Sequence, residues 1–263
     1  METPEITPKQ LEILILLYRY RFLNRKHIQE FLNHKDPKRI NAWLKDLTQK
    51  NITGRKYSYR LKENTKPAVY HLATKSLRIL KGRKGINDKL LGRVYREKTR
   101  SERLIGHSTL LADVYFYLQL QASYDKQILH FFTKADLSTH YYLPYNRPDA
   151  YIALEDNRQN IKRYFLEIVD EGTPRFMLRN RVSTYLEYYE GGNWQTKTGY
   201  PFPSILIICP NLNIKNFLHK HINQTLEQEA QDEISFFLTT REEVVHSQMK
   251  HNVWQKVEDI EED

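Results

Sequence analysis

The side chains best placed for chemistry lie in the first quarter of the chain. Lys38, Asn41, Lys45 and Gln49 recur at spacings of three and four residues, so a helix would carry them on one side. Arg39 adjoins them. Cationic and amide groups in such a row can hydrogen-bond to phosphate oxygens and to base edges. Arg55, Lys56, Arg60 and Lys62 carry the basic character into the next segment. Duplex DNA is the partner this set would suit.

Other chemistries find less support. His219 and His221 are two residues apart and diverge on a helix, and His246 and His251 make a poor helical pair. There is no H-E-x-x-H and no G-x-x-x-x-G-K-[ST], so neither a zinc site nor ATP-driven chemistry is expected. A cluster of three histidines, the mark of relaxases, is absent. Tyr141-Tyr142 and Tyr188-Tyr189 could stack on bases or act as nucleophiles, with packing as the alternative. The one cysteine, Cys209, excludes a disulfide scaffold and a thiolate zinc cluster.

Charge is unevenly spread along the 263 residues. The net charge is +9, yet residues 1–105 hold 26 Lys+Arg against 10 Asp+Glu, whereas residues 106–263 hold 15 against 22. A first part this basic suggests a module facing a polyanion, with Lys and Arg that simply solvate helix faces as the alternative, while the second is mildly acidic. No apolar run approaches the roughly 20 residues needed to cross a bilayer. The acidic opening Met1-Glu2-Thr3-Pro4-Glu5 lacks the apolar stretch of a signal peptide. No membrane partner is expected, and the expected compartment is a reducing cytoplasm.

These side chains need elements to position them. Thr7-Pro8-Lys9-Gln10 reads as a capped helix start, and the helix through Tyr20 is apolar on most faces, as a central helix should be. Asn24 can cap a second helix with Ile28, Phe31 and Leu32 inward. Asp36-Pro37 opens a third, with Ile40, Trp43, Leu44 and Leu47 as its apolar stripe opposite the Lys38–Gln49 row. Segments 55–60 and 68–72 alternate like a hairpin with a basic tip at 62–66. Three helices and a basic hairpin read as a winged helix-turn-helix over 1–85, with the third helix for the major groove and the wing for flanking phosphates. A protein-interaction module is the alternative. Residues 86–103, within a stretch rich in Lys and Arg, read as a basic linker.

An α/β domain with a mixed sheet is expected over 104–245, followed by a polar, acidic tail over 246–263. Its predicted elements are a helix to about Ala122, strands at 128–132, 150–154 and 163–169, and a helix at 175–189. A buried strand at 204–209, a helix at 214–230 and a strand at 234–238 complete it. Pro148-Asp149 opens the second strand and Glu167 lies on the third. In this order the pattern resembles the PD-(D/E)XK nuclease core. The resemblance implies Asp149 and Glu167 as ligands of Mg²⁺ or Mn²⁺ in a metal-dependent endonuclease, because hard divalent ions take oxygen donors. Val169 stands where the nuclease lysine belongs, so the basic catalytic group would come from the next helix, with Arg181 the best placed. The alternative is that Asp149 caps a turn, Glu167 pairs with an arginine, and no metal binds.

Several stretches together resemble the replication-relaxation family of plasmid and mobile-element proteins. They are 7–14 and 18–23 at the start, Val69-Tyr70-His71-Leu72-Ala73, Gly106-His107-Ser108-Thr109-Leu110, Arg147-Pro148-Asp149-Ala150, and 165–173. Arg181 followed by Tyr185 is similar to a further family position. The resemblance covers roughly residues 6–210. It implies a double-stranded DNA-binding protein serving plasmid replication, DNA relaxation or mobilisation. A homodimer is expected because DNA sites are often two-fold symmetric, with plasmid replication or mobilisation proteins as further partners. A dimeric winged-helix transcription regulator is a further alternative.

Overall fold

The computed structural model describes residues 5–57, 67–229, 233–246 and 252–257. The chain divides into two compact units, residues 1–112 and 113–263.

In the first unit, helix α1 (Pro8–Tyr20) begins in a closed capping box. The Thr7 amide donates to Gln10 Oε1 at 2.8 Å, and the Gln10 amide returns to Thr7 Oγ1 at 3.3 Å. The helix stops at Arg21, whose φ of 68° breaks the helical run. After the short strand β1 (Leu23–Asn24), Asn24 accepts from the His27 amide and starts α2 (Arg25–Phe31). Asp36 does the same for α3 (Pro37–Gln49), accepting from the Lys38 amide at 2.8 Å. The Gln10 side chain also reaches Asp46 at 2.6 Å and ties α1 to α3. Strands β2 (Thr53–Lys56) and β3 (Val69–Leu72) follow, and the sheet has the antiparallel order β1-β3-β2.

Ile13, Leu14, Leu17, Ile28, Ile40 and Leu44 are fully enclosed. Burial of each such side chain contributes about 1.5–3 kcal/mol. This is the core the apolar stripes anticipated, except that Phe31, Leu32 and Trp43 are only half-buried. The predicted hairpin tip, 62–66, lies outside the described residues.

The basic stretch 86–103 contains more structure than a linker. After α4 (Ser76–Leu80) it forms α5 (Asp88–Leu91) and a 3-10 turn over Val94–Thr99. Leu91, Val94 and Glu97 are buried, and Arg21 closes a salt bridge of 2.8 Å onto Glu97. Val94 and Glu97, three apart, lie along one side of the 3-10 turn, which anchors the segment despite its charge.

The division between units falls within α6 (Glu102–Tyr124). The second unit is built on strands β4 (Ile128–Thr133), β5 (Ala150–Glu155) and β6 (Ile161–Ile168), then α7 (Arg175–Glu190) and α8 (Asn193–Thr198). β7 (Ser204–Cys209), α9 (Leu212–Glu229), β8 (Phe236–Thr240), α10 (Arg241–His246) and β9 (Gln255–Lys256) follow. The six-stranded sheet runs β4-β5-β6-β7-β8-β9, antiparallel at both edges and parallel through β6-β7-β8. β7 is the apolar central strand, as its unbroken Ile-Leu-Ile-Ile run requires. Phe165, Tyr185, Trp194, Ile207 and Phe236 belong to one core cluster, with Trp194 edge-on to Phe165 at 5.2 Å. The last major strand starts two residues later than its predicted start at Ile234. Part of the expected tail pairs as β9 against β8. Residues 258–263 are outside the described set.

Candidate functional site

The first unit gathers most of the predicted DNA-contacting side chains on one side. Lys38, Arg39, Asn41, Lys45 and Gln49 are all exposed on α3. Arg39 lies 5.8 Å from the Trp43 ring centre, which braces the guanidinium at the surface. Asn41, Lys45 and Gln49 line a cavity of about 620 Å³ together with Arg55 and Tyr57. Its floor is apolar, from Leu44 and Tyr70. Arg55 stacks on Tyr57 at 4.7 Å.

Lys56 does not share this face. Successive strand residues point to opposite sides, and the Lys56 ammonium donates to the Arg100 carbonyl at 2.8 Å. Arg60 and Lys62 fall outside the described residues. Conversely, Arg25 at the start of α2 joins the cavity and was missed in the sequence. Its Nη1 donates to Gln29 Oε1 at 2.6 Å, one helical turn on. The signal available was this i, i+4 pair, which fixes a guanidinium in place.

Tight backbone packing supports the hairpin. Gly54 faces His71 across β2 and β3. A Cβ at residue 54 would sit 2.4 Å from the His71 ring, so only glycine leaves room. The ring is buried and one of its nitrogens bonds to the Leu72 carbonyl at 2.8 Å. Burial, followed by the Lys56 charge, holds the imidazole below its ordinary pKa, against the pull of the Leu72 carbonyl and Glu97.

In the second unit, Asp149, Glu167 and Arg181 come together. Ala150, the first residue of β5, pairs with Leu166, and Asp149 just before it lies close enough to Glu167 on β6 for its charge to be felt there. The Asp149 amide bonds to the Leu166 carbonyl, and its Oδ2 accepts from the Ile168 amide at 2.9 Å. Lys134 stands 3.9 Å from Asp149 Oδ1. Glu167 Oε1 accepts from both the Arg181 guanidinium and the Tyr185 hydroxyl. Arg181 also donates to the Asn146 carbonyl and lies 4.8 Å from the centre of the Tyr185 ring.

The residues bury one another. Burial raises the Glu167 pKa, the neighbouring Asp149 adds to the rise, and Arg181 and Tyr185 oppose it. Burial disfavours charge on Arg181, but the carboxylates of Glu167 and Asp149 hold it protonated. Tyr185 is pushed well above the usual phenol range, first by burial and then by Glu167. The Tyr185 hydroxyl is a hydrogen-bond donor here. Cys209 is buried and inert, its thiol pushed up to about 12 by burial.

This donor set does not fit a divalent ion. One oxygen of each carboxylate is already taken, and two cationic side chains face the pair. Among the described residues no group of three or more His, Cys, Asp or Glu side chains could hold a metal ion. No helix among them is long and apolar enough to cross a membrane.

These features define the class: a two-unit mixed α/β protein, with a basic helix-and-hairpin unit ahead of a six-stranded mixed sheet. The chain belongs to the replication-relaxation family, whose model matches residues 14–204. The match runs through parts of both units. No curated protein matches the chain.

Proposed function

We propose that the protein binds double-stranded DNA through its first unit, which acts as a winged helix-turn-helix, in plasmid or mobile-element replication, relaxation or mobilisation. Helix α3 is the major-groove helix and the β2–β3 hairpin is the wing. The observation that carries this reading is the shared cavity. It places Asn41, Lys45 and Gln49 of α3 beside Arg25 and Arg55, so base-reading and phosphate-binding groups converge on one surface. Family membership supports the setting. The second unit is a PD-(D/E)XK-like scaffold, supported by the closeness of Asp149 and Glu167 and by α7, which lies between parallel β6 and β7 in the chain. A homodimer on a two-fold DNA site fits this mode of docking.

Fluorescence anisotropy with labelled duplex DNA tests the reading. The wild type binds at low salt and is released as salt rises. A variant with Lys38, Lys45 and Arg55 changed to Ala loses most of that affinity. Unchanged affinity in this variant would defeat the assignment. The endonuclease reading draws on the same trio of Asp149, Glu167 and Arg181, but their occupied donors argue for a scaffold. Supercoiled plasmid incubated with protein and Mn²⁺ is expected to stay intact, as with Asp149→Ala. Nicking by the wild type alone would restore the enzyme.

A further inference from the structure

We infer that Arg181 is a resident cation of the Asp149–Glu167 pair, filling by covalent attachment the place a divalent ion would take, so that this pair is closed to metal. The inference concerns the second unit and does not depend on DNA binding by the first.

Three contacts fix the guanidinium. Glu167 Oε1 accepts from its Nη2, the Asn146 carbonyl accepts from its Nη1, and the Tyr185 ring lies beneath it at 4.8 Å. The contacts come from β6, from the loop before β5, and from α7 itself, so Arg181 is held on several sides. The Glu167 oxygen facing it also accepts from the Tyr185 hydroxyl. Asp149, just before β5, spends one oxygen on the Ile168 amide and has the Lys134 ammonium 3.9 Å from the other.

Two carboxylates thus meet two cationic side chains, and formal charge already balances. A hard divalent ion would have only the remaining oxygen of each carboxylate, with the Lys134 ammonium already near that of Asp149. It would also stand against a guanidinium with 17% of its side chain exposed, where little water screens the repulsion. Removing only the guanidinium should open the pair, because Asp149 is held by the Leu166 carbonyl and the Ile168 amide, and Glu167 by the pairing of β6 with β7, and not by Arg181.

Mn²⁺ titration of the full chain, followed by electron paramagnetic resonance, tests this. The wild type is expected to leave the signal of free Mn²⁺ undiminished beyond that of Asp149→Ala/Glu167→Ala. Arg181→Ala is expected to bind one ion at least about tenfold more tightly than the wild type, and Arg181→Ala/Glu167→Ala to lose it again. Should circular dichroism show Arg181→Ala unfolded, Arg181→Gln takes its place with the same expected readings. The inference falls if the wild type binds an ion that Asp149→Ala or Glu167→Ala abolishes. It falls equally if the folded Arg181 variant binds no better than the wild type. Duplex affinity read in parallel separates either failure from a failure of DNA binding.

Discussion

At the residue scale, Glu167 and Gly54 carry different kinds of constraint. Glu167 is half of a buried pair, and its side chain is 13% exposed. Removing one partner of such a pair leaves the other charge buried, which costs more than the pair contributes. Glu167→Ala is therefore expected to destabilise the second unit by about 3–5 kcal/mol, read as a lower denaturation midpoint. A midpoint unchanged from wild type would show that Arg181 finds other partners. Gly54 is a matter of space. Its φ is ordinary, so the demand comes from the His71 ring 2.4 Å from where a Cβ would be. The ring is buried and held by the Leu72 carbonyl, which limits how far it can move. Gly54→Ala should cost about 1–3 kcal/mol by overpacking, measured by chemical unfolding. If pairing with His71→Ala removes most of that cost, the ring is the obstacle.

At the element scale, the hairpin makes stability of the first unit dependent on pH. His71 on β3 is kept neutral by burial, with Lys56 adding to the effect. The unfolded chain takes up its proton near pH 6.5, while the folded chain resists it to lower pH. Stability is therefore full above that value and falls as pH drops through it toward the depressed folded pKa. Asp46, held below its usual value first by Lys50, adds a loss only at more acidic pH, below its ordinary 3.8. Thermal unfolding between pH 7.5 and 5 should show the decline, and His71→Gln should flatten it. The helix starts were legible in the sequence because caps are local: Thr7, Asn24 and Asp36 each bond within three residues. β1 and β9 were not legible, since two residues carry no alternation and their pairing is long-range. Helix α8 escaped for another reason: its bounds are two left-handed glycines, Gly192 and Gly199, with no apolar stripe between them. The acidic pair was legible as residue types in order. An arginine on Glu167 was legible only as an alternative, with Arg181 the best-placed basic group, because the contact spans 14 residues and depends on where α7 lies.

At the scale of the whole molecule, the net charge of +9 hides opposed halves, and DNA binding should follow the halves and not the total. The excess of Lys and Arg over residues 1–105 includes the groups that converge on the cavity beside α3. Affinity from such groups arises by releasing counterions from DNA, so the logarithm of the binding constant should fall linearly with the logarithm of salt. Each phosphate contact contributes about 0.9 to that slope. Changing Arg25, Lys45 and Arg55 to Ala should thus flatten the slope by roughly 2.7 if each holds one phosphate. Changing Asn41 and Gln49 should leave the slope in place and reduce discrimination between duplex sequences, because amides carry no charge to exchange for counterions. Lys56→Ala should barely alter the slope, since its ammonium is engaged by the Arg100 carbonyl. Anisotropy titrations at several salt concentrations separate these outcomes. A slope lost equally on changing Lys56, or on removing basic residues beyond 113, would move the DNA-binding face away from α3 and the hairpin.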